Sequence, residues 1–156
     1  MPCIKLFSGW IGVGVGFVIL LVTWLVVHLR TEGFTSFTFE PHDGEMSFEK
    51  VLGPYLDIAK FVLGLAAGAI VLVIGSSVFG SAKRLPKSFA SPLFLLALSI
   101  IYGIMFMVFL VFNYEGFRHD KTCYTRFRYV RNQSLGFGSL ACFCVGYAWL
   151  IVAATE

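Results

Sequence analysis

Residues 92–112 read PLFLLALSIIYGIMFMVFLVF, an unbroken run without Asp, Glu, Lys or Arg. A helix needs about 20 mostly apolar residues to cross about 30 Å of hydrocarbon, and this run has that length. Three further stretches repeat the pattern, at 9–29, 61–80 and 135–154, again without Asp, Glu, Lys or Arg. A charge at mid-bilayer costs at least ~2.5 kcal/mol on the mildest scale, so the clean exclusion of charge matters as much as the length.

Composition points the same way. The chain has 156 residues, of which 58% are hydrophobic and only 13% charged, far from the balance of a soluble domain. Uncharged runs this long leave no polar face for water, which argues against a soluble bundle with greasy helices. The expected fold is an all-α membrane protein: four transmembrane helices forming one bundle and one membrane domain over 1–156. Polar loops are expected at 30–60, 81–91 and 113–134. Lys5 followed by an apolar run resembles a secretory signal. The run is too long, however, and meets His28, Leu29 and Arg30 rather than a small-residue cleavage site, so it reads as a retained span.

The three loops differ in character. The first is acidic, with Glu32, Glu40, Asp43, Glu45, Glu49 and Asp57 against Arg30, Lys50 and Lys60. Its early part, FTSFTF at 34–39, alternates aromatic and hydroxyl residues and suits a short strand. Pro41, His42, Asp43 and Gly44 mark a turn, and Pro54 suits the first position of the next helix. The second loop is short and basic through Lys83, Arg84 and Lys87, and Ser91 before Pro92 suits the start of the third span. The third loop carries Arg118, Lys121, Arg126, Arg128 and Arg131 against Glu115 and Asp120.

Lys and Arg are retained on the cytoplasmic side of a membrane. With both termini inside, the cytoplasm receives Lys5, Lys83, Arg84 and Lys87. With both termini outside it receives the other eight of the 12 Lys and Arg. The count therefore predicts both termini on the same side, outside.

Small residues recur at helical spacing within the spans. The first carries Gly12 and Gly16; the second Gly64, Gly68 and Gly75; the fourth Ser134, Gly138, Cys142 and Gly146, each four apart. Such stripes let helix backbones approach closely where lipid supplies no hydrophobic drive between helices. Each stripe either holds the bundle together or faces a neighbouring subunit, and three of them in so small a bundle predict self-association. The run Gly12-Val-Gly-Val-Gly16 has half of a dinucleotide-binding fingerprint but neither the preceding strand nor a polar helix, and is set aside. Cys142 and Cys144 point about 200° apart on a helix and read as packing residues rather than a metal or disulfide pair.

The third loop is the polar segment with the strongest ligand chemistry. Tyr124, Arg126, Phe127, Arg128, Tyr129 and Arg131 interleave aromatic rings with guanidinium groups. If helical, Arg118, Lys121, Arg128 and Arg131 fall on one stripe. Arginine grips phosphate through a planar fork, and neighbouring rings can stack on bases. A nucleotide or single-stranded nucleic acid held by Arg118, Lys121, Tyr124, Arg126, Phe127, Arg128 and Arg131 is one reading. An aromatic headgroup anchor and a patch for anionic lipid are the others.

Catalysis is not expected. The spans offer Thr23, Ser76, Ser77, Ser99, Tyr102 and Ser139 without an acid or a lysine to activate them, and no cofactor or metal motif accompanies them. Glu40, His42, Asp43 and Glu45 read as a solvated acidic turn rather than a metal site. The sequon at Asn132 abuts the fourth span, out of reach of glycosylation. In span number, chain length and its basic-aromatic loop, the chain resembles the small multi-span membrane effectors of bacterial anti-phage systems. That resemblance implies a homo-oligomeric ion channel or pore in the bacterial inner membrane, gated by an anionic nucleotide or nucleic-acid ligand. The alternative is a non-conducting structural or accessory subunit of a larger membrane complex.

Overall fold

A computed structural model describes residues 4–33, 36–37, 48–75, 87–120 and 124–155. Almost all of them are helical, in four long helices: α1 (Ile4–Arg30), α2 (Phe48–Gly75), α3 (Ala90–Asp120) and α4 (Arg126–Thr155). Each contains a segment long and apolar enough to cross a membrane, in keeping with an integral membrane protein.

Three boundaries differ from the sequence reading. Helix α2 starts at Phe48, so Pro54 lies inside it rather than at its first position. An interior proline removes one helical hydrogen bond, a loss tolerated here within two turns of the helix start. Helix α3 runs past Phe112 to Asp120, and α4 begins at Arg126 rather than near Leu135, so the expected third loop shrinks to the few residues between them. The expected ends lie where charge begins. Charge ends the hydrocarbon-facing part of a helix, but arginine is itself a good helix former, and only a breaker or a cap ends the helix.

Those few residues include β2 (Tyr124–Thr125), which pairs antiparallel with β1 (Ser36–Phe37) in the first loop. The expected strand at 34–39 is thus realised over Ser36 and Phe37, and its partner lies in a segment read as loop or helix. Helix α1 ends in a turn at Thr31 to Gly33, where Gly33 takes φ +99°, the left-handed conformation that favours glycine after a helix.

Helix α4 is the hub. Val130, Ser134, Gly138, Cys142, Gly146 and Leu150 are buried along it at steps of four. This stripe packs on α3 and α1. A side chain at Gly146 would press on Leu95 Cβ and the Leu96 backbone, and one at Gly138 on Leu20. At mid-helix Ser99 and Ser139 clasp α3 to α4, each hydroxyl donating to the other's carbonyl at 2.8 Å. Both serines are buried, so the exchange satisfies groups that would otherwise be costly in an apolar interior. Around the clasp, Leu95, Tyr102, Phe106, Leu110, Leu135 and Cys142 fill the core.

Helix α1 joins this pair through its own small residues. A Cβ at Gly12 would collide with the Ser91 backbone, and one at Gly16 with Leu98 Cδ1. Thr23 Oγ1 donates to Leu20 O at 2.9 Å and reaches Ser134 O at 3.4 Å. Helix α2 rests mainly on α3 through Val62, Ala66 and Ala69, which leaves Gly64, Gly68 and Gly75 on its outer face.

Candidate functional site at the basic end of the bundle

The end of α1, the end of α3, the start of α4 and the β1–β2 pair meet at one end of the molecule. Most of the candidate ligand-binding residues sit there. Arg118 and the pair Arg128 and Arg131 belong to different helices, α3 and α4, with β2 between them. The single basic stripe expected for a continuous helix therefore does not form. Lys121 lies outside the described residues, as do Cys3, Cys123, Ser76, Ser77 and the acidic turn with Glu40, His42, Asp43 and Glu45.

Arg126 is structural. Its Nη2 donates to His28 O at 2.9 Å and its Nε to Thr31 Oγ1 at 3.5 Å. The last carbonyls of a helix have no partner within it and carry partial negative charge, so a guanidinium at the α1 terminus satisfies both needs. Thr31 adds to the cap, its hydroxyl donating to Val27 O at 2.9 Å. One turn earlier, Trp24 and His28 stack at 5.0 Å with ring planes 10° apart.

Tyr124 is buried, with 6% of its surface exposed. Its hydroxyl donates to Arg128 O at 3.4 Å, and its ring meets Tyr129 edge-on at 5.9 Å. Burial pushes the phenol up to about 12, although the Asn132 amide and the Arg131 cation pull the other way. A ring enclosed in this way offers no face to a base arriving from solution. Asn132 is 2% exposed, which removes the sequon from reach.

Phe127 and Arg128 are exposed, and Arg131 is partly buried. The Arg131 guanidinium carbon sits 4.0 Å from the centre of the Phe109 ring of α3, a cation–π contact. Its Nε is buried without a hydrogen-bond partner among the described residues, as are Asn113 Nδ2, Asn132 Oδ1 and Tyr102 Oη. Lys60–Asp57 on α2 is the one ion pair among the described residues, at 3.6 Å and on the surface. Arg131 thus has no carboxylate against it there. The sequence places it in a loop, but α4 carries it five positions into the helix, level with the apolar α1 side chains Leu21, Trp24 and Leu25. The signal that could have found this is the stripe of small residues, which continues backwards from Ser134 to Val130 without a change of step.

The small-residue stripes divide. Gly12 and Gly16 on α1, and Gly138, Cys142 and Gly146 on α4, are buried inside the bundle. On α2 a Cβ at Gly64, Gly68 or Gly75 would meet none of the described residues within 4 Å. Cys142 is buried and Cys144 exposed, as their spacing requires. Among the described residues no group of three His, Cys, Asp or Glu side chains converges as a metal site. No protein family, curated protein or solved structure matches this chain.

Proposed function

We propose that this chain is an integral membrane protein that assembles with itself along α2 and acts as a subunit of a homo-oligomeric channel or pore. The observation that carries this reading is the open α2 stripe: Gly64, Gly68 and Gly75 have none of the described residues against them, while the stripes of α1 and α4 are covered inside the bundle. Small residues at this spacing are helix-association surfaces in lipid. The core between α1, α3 and α4 is filled, so the conducting path runs between protomers rather than through one. An apolar path of this kind closes by drying and needs no gating charge. The Lys and Arg count supports an orientation with both termini outside and the basic end cytoplasmic. The resemblance to anti-phage effectors supports the bacterial inner membrane as its location.

A second reading, a non-conducting accessory subunit, draws support from Tyr124 and Arg126. Both hold the fold together, which leaves Phe127 and Arg128 as the open side chains among the described members of the expected nucleotide site. The mass of the purified protein in detergent, followed by ion flux after reconstitution, separates the two. An oligomer that conducts supports the pore, and an oligomer without flux favours the accessory role. A strict monomer without flux removes the pore.

A further inference from the structure

The chain contains two asparagines, Asn113 and Asn132, and the fold brings both to the basic end of the bundle. Asn113 lies on α3, one helical turn beyond Phe109 and on the same face. The Arg131 guanidinium carbon stands over that Phe109 ring, 4.0 Å from its centre, so the arginine faces the same stretch of α3. Asn132 follows Arg131 on α4 and lies one turn beyond Arg128, whose carbonyl accepts from the Tyr124 hydroxyl at 3.4 Å. Asn132, Arg131 and Asn113 all stand close enough to that phenol to act on its proton. One buried ring thus gathers three polar side chains from two helices.

Three of the four buried side-chain atoms without a hydrogen-bond partner among the described residues lie at this junction: Arg131 Nε, Asn113 Nδ2 and Asn132 Oδ1. A buried polar group left unmet costs free energy, and a charged one costs more. The two nitrogens donate and the oxygen accepts. An anion would suit the donors but repel the carbonyl oxygen. A metal cation would suit the oxygen but meet the charge of the guanidinium. Water suits all three, because its lone pairs accept while its O–H groups donate. A buried water makes about three hydrogen bonds, and this junction offers that many. Asn132 is 2% and Tyr124 6% exposed, which closes the place to larger molecules.

We propose that Arg131, Asn113 and Asn132 enclose a binding site for one ordered water molecule, which joins α3 to the first turns of α4. Arg131 Nε and Asn113 Nδ2 donate to it, and it donates to Asn132 Oδ1. The site lies inside one protomer, so it depends neither on assembly along α2 nor on conduction. Its role is positional. Arg131 has no carboxylate against it among the described residues, and the water supplies the acceptor that keeps its guanidinium over Phe109.

The test uses the full chain in detergent, labelled with heavy nitrogen in asparagine and arginine alone. With two asparagines in the chain, two side-chain amide signals are expected, and Asn132→Leu assigns them by removing one. Cross-relaxation with water is then measured in the laboratory and rotating frames. A water held in the fold gives effects of opposite sign in the two frames, whereas proton exchange gives the same sign. Wild type should show the held-water pattern at the Asn113 amide and at Arg131 Nε–H. The pattern should persist in Tyr124→Phe, which removes any relay through the phenol. Asn132→Leu, which takes away the acceptor, should abolish it at both remaining groups. Replacing chloride by gluconate should leave both amide signals in place. The wild-type spectra decide the site even if a variant fails to fold. Exchange alone, or contacts from side chains at 121–123 in place of water, would overturn it. So would signals that move with chloride, which would make the ligand an anion, or a pattern lost in Tyr124→Phe or kept in Asn132→Leu.

Discussion

Helices α2 and α4 both carry small residues at helical spacing, yet they face opposite surroundings. On α4 the stripe from Val130 to Leu150 is buried, and backbone and side chains of α3 stand within 3.0 to 3.3 Å of where a Gly146 Cβ would be. On α2 the buried positions are Val62, Ala66 and Ala69, and the glycines look away from the bundle. The same pattern is thus a core seam in one helix and an open face in the other. Spacing determines which residues share a face. It does not determine what that face meets.

Substitutions should separate the two faces by size of effect. The largest is expected inside the bundle: Gly12→Leu drives a side chain into the Ser91 backbone, which cannot move aside as a flexible side chain can. A loss of roughly 3 kcal/mol is expected, read as unfolding in detergent. Wild-type stability from Gly12→Leu would show that α1 does not pack on α3 in this register.

The next effect lies at the start of α4. Tyr124 holds its proton up to about 12 in the fold and releases it near 10.0 when unfolded. The folded state therefore binds more protons between those values, and stability falls as pH rises through them. The Tyr124 contribution is complete below pH 10 and lost above 12, with an upper bound of about 2–3 kcal/mol. In Tyr124→Phe the alkaline loss over that window should shrink, which a pH series of thermal melts would reveal.

Smaller effects are expected at the clasp and the cap. Ser99→Ala removes one of two reciprocal bonds to α4 and should cost about 0.6–1.7 kcal/mol, with coupling to Ser139→Ala in a double-mutant cycle. Arg126→Gln withdraws the cation from the α1 terminus and should cost about 0.3–1 kcal/mol by the same melts, together with earlier hydrogen exchange at the end of α1. Additive serines would mean that the two hydroxyls do not act as a pair.

The smallest effect on folding should come from the open face. Gly68→Leu adds a side chain where none of the described residues stands within 4 Å, so the melting temperature of the monomer should be unchanged or slightly raised by better helix propensity. Its mass in detergent should nevertheless fall if α2 is the contact between copies. Unchanged mass would move the self-association surface elsewhere.

Much of the fold is legible in the chain alone. Four uncharged runs of spanning length, the stripe at Ser134, Gly138, Cys142 and Gly146, and the divergence of Cys142 and Cys144 all follow from two facts. Hydrocarbon rejects charge, and a helix repeats every 3.6 residues. Those facts act through each residue and its neighbours in the chain, so the chain alone carries them. Helix ends were less legible, because apolarity stops at the headgroups while α3 and α4 continue through Asn113 to Asp120 and from Arg126 to Ser134. The basic segment was least legible of all. Whether an arginine is a ligand donor, a helix cap or a ring partner depends on what lies across from it: His28 O for Arg126, Phe109 for Arg131. Those partners are distant in sequence, and only the tertiary packing of α1, α3 and α4 brings them within reach. The chain alone therefore carries the number of helices, the length of their apolar spans and which residues share a face. The tertiary structure alone decided which of those faces is covered, because burial is a property of pairs of surfaces and not of one.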